Sequence, residues 1–330
     1  MAVLDLLIVG AGPSGLATAI AATTQGLSYE VLEKGVLVNS IFRFPVHMVF
    51  FTTPELLEIG GLPLVTPYEK PTRIEALRYY RRAAEKFALK ISLGETVQQV
   101  ERDARSGAFT VTSEVRGETH RRQSRAVVVA TGYYDYPNRL DVPGEDLPHV
   151  SHYYREAHES YRRRVVVVGG KNSAAEAALE LHRAGAHVTL VHRRRALGGS
   201  IKYWVKPDIE NRIAEGSIAA RFDSRIVEIT PEAVIIEREG QREAIAADQV
   251  YLLTGYHADF RLLSACGIDV DAQTGVPMYD PGTLESNVPN LFLAGGVVAG
   301  RDTAPIFIEN GRFHGERIVA VLGERLRVTA

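Results

Sequence analysis

Three glycines near the start of the chain have a spacing that suits phosphate binding. Gly10, Gly12 and Gly15 follow the apolar run at residues 6–9, and an alanine-rich helical stretch then runs to Gln25. In such a loop the first glycine makes a tight turn, the second lets the backbone approach a pyrophosphate, and the third lets the helix pack closely on the strand. The free N–H groups at the start of the helix then face the phosphates.

An acidic residue completes this pattern. The strand-like residues 29–32 end on Glu33, which is 23 positions after Gly10. A carboxylate there can accept hydrogen bonds from a ribose diol. A tight turn in another kind of α/β protein would not need this acid, so the stretch predicts a dinucleotide site. The residues expected to contact the nucleotide there are Gly10, Gly12, Pro13, Ser14, Gly15, Glu33 and Lys34.

The same cycle recurs in the second half of the chain. An apolar run at residues 165–168 enters a glycine loop, followed by an alanine-rich helix at 174–184 and a strand at 188–191. Lys171 occupies the middle glycine position, so lysine must adopt the backbone shape of the loop there, or the phosphates must lie slightly further out. The expected nucleotide contacts are Gly169, Gly170, Lys171, Asn172, Ser173 and Ala174.

The strand of this second repeat ends in a basic run instead of an acid. His192, Arg193 and Arg194 stand where an acid would favour a ribose 2′-OH, and arginines there favour a 2′-phosphate. A basic surface loop is the alternative interpretation. We therefore expect NADPH in preference to NADH.

Two such repeats, the second inserted into the first, predict an α/β fold with two Rossmann-like dinucleotide-binding domains. We expect an FAD-binding domain made of residues 1–138 and 258–330, and an NADPH-binding domain at 139–257. The expected chemistry is hydride transfer from NADPH C4 to flavin N5. The protein mainly positions the two rings, and no side chain has to act as an acid or base in that step.

Further residues are expected to close around the cofactors. Pro305 suits the first turn of a helix running through Gly311 to Leu322, whose N-terminus would face the flavin ring. The aromatic segment at 41–53 either packs in a core or lines the flavin. Other candidates lie at the ends of strands. Together, the further residues expected near a cofactor are His47, Phe51, Val97, Ala130, Thr131, Gly132, Thr254, Gly255, Gly295, Gly296, Pro305 and Ile306.

The remaining elements are read from periodicity. Thr72 is expected to cap an amphipathic helix at 73–87. Residues 97–100, 109–113 and 120–122 read as short strands, and 126–130 reads as a separate apolar strand.

Composition excludes several classes of partner. The 330 residues are 45% hydrophobic and 24% charged, with a net charge of −2, which argues against nucleic acid or an anionic membrane. The N-terminus lacks the basic start of a signal peptide, and no run reaches the ~18 apolar residues of a membrane span. We expect a cytoplasmic protein without a metal site. The single cysteine, Cys266, excludes an intrachain disulfide and is expected to end a helix as a buried residue.

These motifs resemble a known family. The chain is similar over nearly its whole length to thioredoxin-reductase-like flavoproteins, and most closely to the bacillithiol-disulfide reductase family. Its most specific motifs are GGKNS at 169–173 and IFIENGRFHG at 306–315. The others are GAGPSGL at 10–16, EKG at 33–35, LEIG at 57–60, ATGYYD at 130–135, VPGEDLP at 142–148 and LTGYH at 253–257.

Three departures qualify what the resemblance implies. Residues 151–156 have no Cys-x-x-Cys where thioredoxin reductases carry one, so no dithiol relay is expected. Ser14 stands where the bacillithiol family usually has a cysteine, and a serine cannot form a mixed disulfide. Gly296 stands where an aspartate commonly holds the ribityl chain of the flavin.

Several functions therefore stay open. The first hypothesis is an NADPH-dependent flavoprotein that reduces a low-molecular-weight disulfide, with bacillithiol disulfide implied by the resemblance. The second is a reductase of a small carrier protein, ferredoxin or flavodoxin, because cysteine-free relatives do this. A flavin monooxygenase and an NADPH-sensing flavoprotein follow. A homodimer is expected because relatives dimerise.

Overall fold

The computed structural model describes residues 3–328, which form two compact units. The second unit is Pro137–Gly255 together with the short segment Phe44–Val46. The first unit contains the stretches up to Arg43, His47–Tyr136 and from Tyr256 onward. Most of the second unit is thus inserted into the sequence of the first.

Both units contain strands and helices. The strands are β1 (Leu4–Val9), β2 (Tyr29–Glu33), β3 (Ile91–Leu93), β4 (Glu95–Arg102), β5 (Phe109–Val115), β6 (Glu118–Val129), β7 (Tyr136–Pro137), β8 (Val150–Ser151), β9 (Arg164–Val168), β10 (His187–Val191), β11 (Ala219–Arg221), β12 (Arg225–Ile229), β13 (Ala233–Arg238), β14 (Gln241–Ala246), β15 (Gln249–Leu252), β16 (Tyr256–His257) and β17 (Leu291–Leu293). The α-helices are α1 (Pro13–Thr24), α2 (Asn39–Arg43), α3 (Arg73–Lys86), α4 (Asn172–Arg183), α5 (Lys206–Ala214), α6 (Phe260–Ala265), α7 (Ile308–Gly311) and α8 (His314–Val328). Short 3-10 helices lie at Pro54–Leu56, His158–Ser160 and Gly295–Ala299.

A mixed sheet organises the first unit. Its order is β3-β2-β1-β6-β5-β4, and β17 also pairs with β6. The pairs among β3, β2, β1, β6 and β17 are parallel, whereas β6-β5 and β5-β4 are antiparallel. Val9 pairs with both Leu32 and Val129, and Val129 pairs with Leu293, so four parallel strands end at one edge. The loops after them therefore meet at that edge, where α/β sheets bind ligands.

Strand β6 differs from the sequence prediction. Residues 120–122 and 126–130 were expected to form two strands, but Glu118–Val129 is one continuous strand. Its polar half pairs with β5 up to Ser124, and its apolar half is buried between β1 and β17. The polarity changes where the neighbours change, although the backbone pairing continues.

The predicted helix after Thr72 is confirmed. The Thr72 side chain accepts from Glu75 N, and the Glu75 side chain accepts from Thr72 N, which is a complete capping box. The expected helix end at Cys266 is also confirmed, since Cys266 caps α6 and is buried.

The helix expected to begin at Pro305 is wrong in two respects. It starts only at Ile308, and it is divided into α7 and α8. The Asn310 side chain accepts from Phe307 N (2.9 Å) and donates to Pro305 O (2.7 Å), which keeps Pro305 in a turn ahead of the helix.

The second unit repeats the parallel arrangement. Its sheet has the order β11-β10-β9-β15-β8, with parallel pairing throughout. Helix α4 buries Ala175, Ala178 and Leu181 among the core residues of this unit. A three-stranded antiparallel sheet, β12-β13-β14, packs its apolar side chains with those of β9 and β15. Within residues 3–328, no helix is long and apolar enough to cross a membrane.

Candidate functional site

The first glycine loop is shaped by close backbone contacts. Gly10 has φ +107°, and a Cβ there would lie 2.6 Å from Ala130 O. A Cβ on Gly15 would collide with Gly10 O, so only glycine lets α1 come this close to β1. A Cβ on Gly12, in contrast, would meet no atom within 4 Å. The loop thus leaves its backbone open at Gly12, which fits the approach of a pyrophosphate.

Glu33 braces this loop from the end of β2. Its carboxylate accepts from Ala11 N and from Gly35 N, each at 2.8 Å, and the residue is only 6% exposed. Burial raises the pKa of Glu33, and the two backbone hydrogen bonds oppose that rise. A carboxylate has about four acceptor sites, so the acid can hold the loop and still accept from a ribose hydroxyl.

The 3-10 helix after β17, helix α7 and the start of α8 lie beside Ser14 of the first loop. A Cβ on Gly295 would collide with Ser14 Oγ, and one on Gly311 would lie 3.1 Å from the same atom. Gly295 N donates to His314 Nδ1 (3.0 Å), which requires His314 to be neutral. Burial and the charge of Arg317 lower the pKa of His314 to about 4. The side chain that fixes Gly295 beside Ser14 therefore stays uncharged at neutral pH.

Tyr133 fills the space beside Gly296. A Cβ on Gly296 would lie 2.7 Å from Cδ1 of the tyrosine ring. The Tyr133 hydroxyl is hydrogen-bonded with Thr303, and burial raises its pKa. An aspartate at position 296 would therefore have to displace the ring, which gives a steric reason for the glycine. Sequence reasoning missed Tyr133, because nothing in the chain marks it as a neighbour of Gly296.

The other residues expected in the first site lie in several environments. Pro13 is at the first turn of α1, and Lys34 forms an ion pair with Asp135 (2.9 Å). Phe51 is exposed and makes an edge contact with Phe307, at 5.5 Å between ring centroids. Val97 and Ile306 pack against the core of the unit and His47 is exposed, whereas Ala130, Thr131 and Gly132 directly follow β6.

The second loop has the same framework but different contacts. A Cβ on Gly170 would collide with the imidazole of His192, so the ring lies directly against the loop. Lys171 is the N-cap residue of α4. Its φ of −114° and ψ of −168° are an extended backbone conformation that any residue can adopt. Ala174 occupies the place of the third glycine and is 1% exposed. Lysine is accommodated because its position needs no left-handed backbone.

The basic run after β10 is exposed. Arg193, Arg194 and Arg195 all face solvent, and Arg195 Nε lies 3.9 Å from Asp223. Burial and the charges of Arg194 and Arg193 lower the pKa of His192, so the run presents its positive charge mainly on guanidinium groups. Such groups match the geometry of a phosphate.

Thr254 and Gly255 lie just after the end of β15 in the second unit. Thr254 Oγ1 donates to Asn138 O (2.6 Å), and Gly255 has φ +91°. Asn172, at the start of α4, bonds with a later segment that sequence reasoning did not connect with it.

Two glycine loops, each at the end of a parallel strand and the start of a helix, define a protein that binds two dinucleotides. Comparison with known proteins agrees. Residues 7–295 match the family described as pyridine nucleotide-disulphide oxidoreductase. The bacilliredoxin reductase of Bacillus subtilis (strain 168) is 41% identical over 97% of each chain.

Solved structures give the same result. The bacillithiol disulfide reductase of Bacillus cereus is 40% identical, with a TM-score of 0.96 over 98% of this chain and 100% of that one. The Staphylococcus aureus counterpart is 37% identical, with a TM-score of 0.92 over 98% and 99%. A ferredoxin–NADP reductase of Thermus thermophilus is more distant, at 27% identity over 92% of this chain and 88% of its own.

The chain belongs to the pyridine nucleotide-disulphide oxidoreductase family. It is an oxidoreductase enzyme with FAD and NADPH as cofactors, and the predicted fold class, with two Rossmann-like domains, is confirmed. The expected resemblance to bacillithiol-disulfide reductases is confirmed as well.

Proposed function

We propose that this enzyme reduces a low-molecular-weight disulfide at the expense of NADPH, with bacillithiol disulfide as the substrate. The observation that carries the proposal is the match with the Bacillus cereus bacillithiol disulfide reductase over almost the whole of both chains. The overall reaction converts one disulfide, one NADPH and one proton into two thiols and NADP⁺. When bound, FAD takes a hydride from NADPH and passes two electrons on to the acceptor.

We assign the first unit to FAD. The open backbone at Gly12 and the buried Glu33 support this assignment. The proposed FAD contacts are Gly10, Gly12, Pro13, Ser14, Gly15, Glu33, Lys34, Ala130, Thr131, Gly132, Gly295 and Gly296. Further proposed contacts are Val97, Pro305 and Ile306, and the weaker candidates for the flavin's surroundings are His47 and Phe51.

We assign the second unit to NADPH. The exposed arginines after β10 support a 2′-phosphate site. The proposed contacts are Gly169, Gly170, Lys171, Ser173, Ala174, His192, Arg193, Arg194, Thr254 and Gly255. Asn172 belongs to the same motif, and its side chain bonds with a later segment of the unit. The expected domain bounds, 1–138, 139–257 and 258–330, remain a proposal for how the chain divides between the two cofactors.

No thiol of this chain is suited to relay electrons. Cys266 is the only cysteine, it is 6% exposed, and burial raises the pKa of its thiol to about 12. The thiolate is the reactive form, so Cys266 is inert at neutral pH. Ser14 offers only a hydroxyl beside Gly295 and Gly311. Electrons therefore pass to the acceptor without a protein mixed disulfide.

The same observation supports a second candidate, electron transfer to a carrier protein such as ferredoxin or flavodoxin. A protein without an accessible thiol can still pass electrons from a flavin. Ferredoxin–NADP reductases are among the more distant relatives, which supports this reading less strongly than the first.

The test is anaerobic. The FAD-loaded enzyme is reduced with one equivalent of NADPH, and flavin reoxidation is followed with bacillithiol disulfide, ferredoxin or flavodoxin. Fast reoxidation by the disulfide alone supports the first proposal. Reoxidation by a carrier, with none by the disulfide, would refute it in favour of the second.

A matched pair of variants sharpens this test. Ser14→Cys supplies the thiol that related enzymes carry, and Ser14→Ala removes the hydroxyl. If the disulfide is the substrate, Ser14→Cys should change its reoxidation rate while transfer to ferredoxin stays constant. Ser14→Ala separates the loss of the hydroxyl from the gain of the thiol.

We also propose a cytoplasmic homodimer. A single buried cysteine suits a reducing compartment, and the resemblance to dimeric flavoproteins supports the dimer. Light scattering on the eluting enzyme checks the assembly, and a mass near the 36.3 kDa of one chain would contradict it. Fractionation of cells that produce the protein checks the location.

A further inference from the structure

A segment of the second unit crosses the second glycine loop. Residues 197–204 follow the basic run after β10, and we call them the strap. Leu197 and Ile201 anchor the strap because both are buried in the core of this unit. Between these anchors, Gly198 N donates to Gly170 O (2.8 Å), which joins the strap directly to the loop.

Asn172 holds the strap at two further points. Its Nδ2 donates to Ser200 O (3.1 Å), and its Oδ1 accepts from Lys202 N (2.9 Å). The carboxamide thus bonds the strap as a neighbouring peptide group would. Both ends of the side chain are directed toward the strap.

The contact is also tight. A Cβ on Gly198 would lie 3.0 Å from Gly170 O, so a larger residue there would push the strap away from the loop. Lys202 Nζ donates to Glu176 Oε1 (2.6 Å) on α4, which joins the second half of the strap to this helix. The strap is therefore joined to the loop at Gly198, to the first residue of α4 at Asn172 and to the next turn of that helix at Glu176.

We propose that Asn172 is a positioning residue for NADPH: its carboxamide fixes the strap against the glycine loop, so that strap and loop form one rigid wall of the nucleotide site. This inference rests on the proposed NADPH site in the second unit. A wall that is ordered before binding avoids the entropy cost of ordering it on binding. Asn172 thus acts through the strap and not as a direct ligand of the nucleotide.

The strap carries its own reporter. Trp204 is the only tryptophan of the chain, it is 45% exposed, and its ring centroid lies 5.8 Å from Lys202 Nζ. Tryptophan emission therefore reports on the strap alone. NADP⁺ is the appropriate probe, because it leaves the flavin oxidised and lacks the absorbance of the reduced nicotinamide.

The experiment titrates FAD-loaded enzyme with NADP⁺ and follows Trp204 emission, with steady-state kinetics in NADPH alongside. Asn172→Ala should raise the Kd for NADP⁺ and the KM for NADPH about tenfold, as expected for two lost hydrogen bonds. The kcat at saturating NADPH should stay within about twofold, because the wall affects binding and not the transfer step. Trp204 emission should change even before NADP⁺ is added.

Two further variants make the outcome specific. Gly198→Val moves the strap without removing a polar side chain and should also raise the Kd. Asn211→Ala, an asparagine exposed on α5, is the matched control and should change neither readout. Unchanged Kd and Trp204 emission in Asn172→Ala would overturn the inference.

A second outcome would also overturn it. If Asn172→Ala weakened NADP⁺ binding while Trp204 emission stayed unchanged and Gly198→Val bound normally, Asn172 would be a direct ligand. Failure of the unmodified enzyme to bind NADP⁺ is a different result, because it refutes the proposed NADPH site itself.

Discussion

The two glycine loops share a framework but differ in what fills it. In the first loop, Gly15 leaves no room for a Cβ, whereas Ala174 occupies the matching place in the second. At the middle position, Gly12 and Lys171 are both extended, with φ −75° and φ −114°. Close packing thus requires glycine at the third position in the first unit only. At the middle position, the backbone conformation requires glycine in neither unit.

The residues that support the loops differ as well. A buried carboxylate, Glu33, holds the first loop through Ala11 N, whereas the second is backed by the His192 ring and followed by arginines. A carboxylate at this place accepts from a ribose hydroxyl and repels an added phosphate, whereas exposed arginines attract one. If the proposed sites are correct, one framework selects different nucleotides through the residues at the end of its second strand.

The largest effect is expected at the third position of the glycine pattern, which is Gly15 in the first loop and Ala174 in the second. Gly15→Ala should destabilise the first unit by about 2–3 kcal/mol and lower its FAD content, because the new methyl group would overlap Gly10 O. Ala174→Gly should cost only about 1 kcal/mol, from helix propensity. Urea unfolding and the flavin-to-protein absorbance ratio measure both, and equal losses would remove the distinction between the loops.

Low pH should lower the stability of the first unit because it protonates His314. The folded state lowers the pKa of this group from 6.5 to about 4, so between these values the unfolded chain binds more protons. The stability that depends on neutral His314 is complete above pH 6.5 and is lost as the pH falls toward 4. The expected loss of unfolding free energy is about 3 kcal/mol.

A non-titrating variant provides the control for this effect. His314→Gln keeps an acceptor for Gly295 N but does not titrate, so its unfolding free energy should fall less steeply between these pH values. Parallel pH profiles for the two proteins would contradict the assignment to His314.

The basic run of the second unit should control the choice of nucleotide. Arg193→Ala combined with Arg194→Ala should raise the KM for NADPH about tenfold or more and change that for NADH little, because only NADPH has a 2′-phosphate. Arg195→Ala, whose side chain is 93% exposed, is the matched control. Equal effects on both nucleotides would refute the 2′-phosphate role.

The smallest effect is expected at the middle position. Lys171→Gly restores the general glycine pattern, but the backbone there is already extended. The KM for NADPH should therefore change less than about threefold. Steady-state kinetics measure it, and a large gain in affinity would mean that lysine holds the phosphates away from the loop.

Local sequence patterns were enough to predict much of this fold. Strand, glycine loop and helix follow one another within about 30 residues, so their periodicity and turn residues are readable without the rest of the chain. The capping box at Thr72 and the helix end at Cys266 are local for the same reason. Strand β6 was missed as one element because its two halves take their polarity from different neighbours.

By itself, the sequence determined the two dinucleotide repeats, the insertion of one in the other, the lack of a redox dithiol and the family. Only the tertiary structure decided that Gly295 and Gly311 flank Ser14, and that Tyr133 fills the space beside Gly296. It also joined Asn172 to the strap. Repeats and motifs are local and periodic, whereas these contacts join residues that are distant along the chain and meet only when the sheets and helices pack.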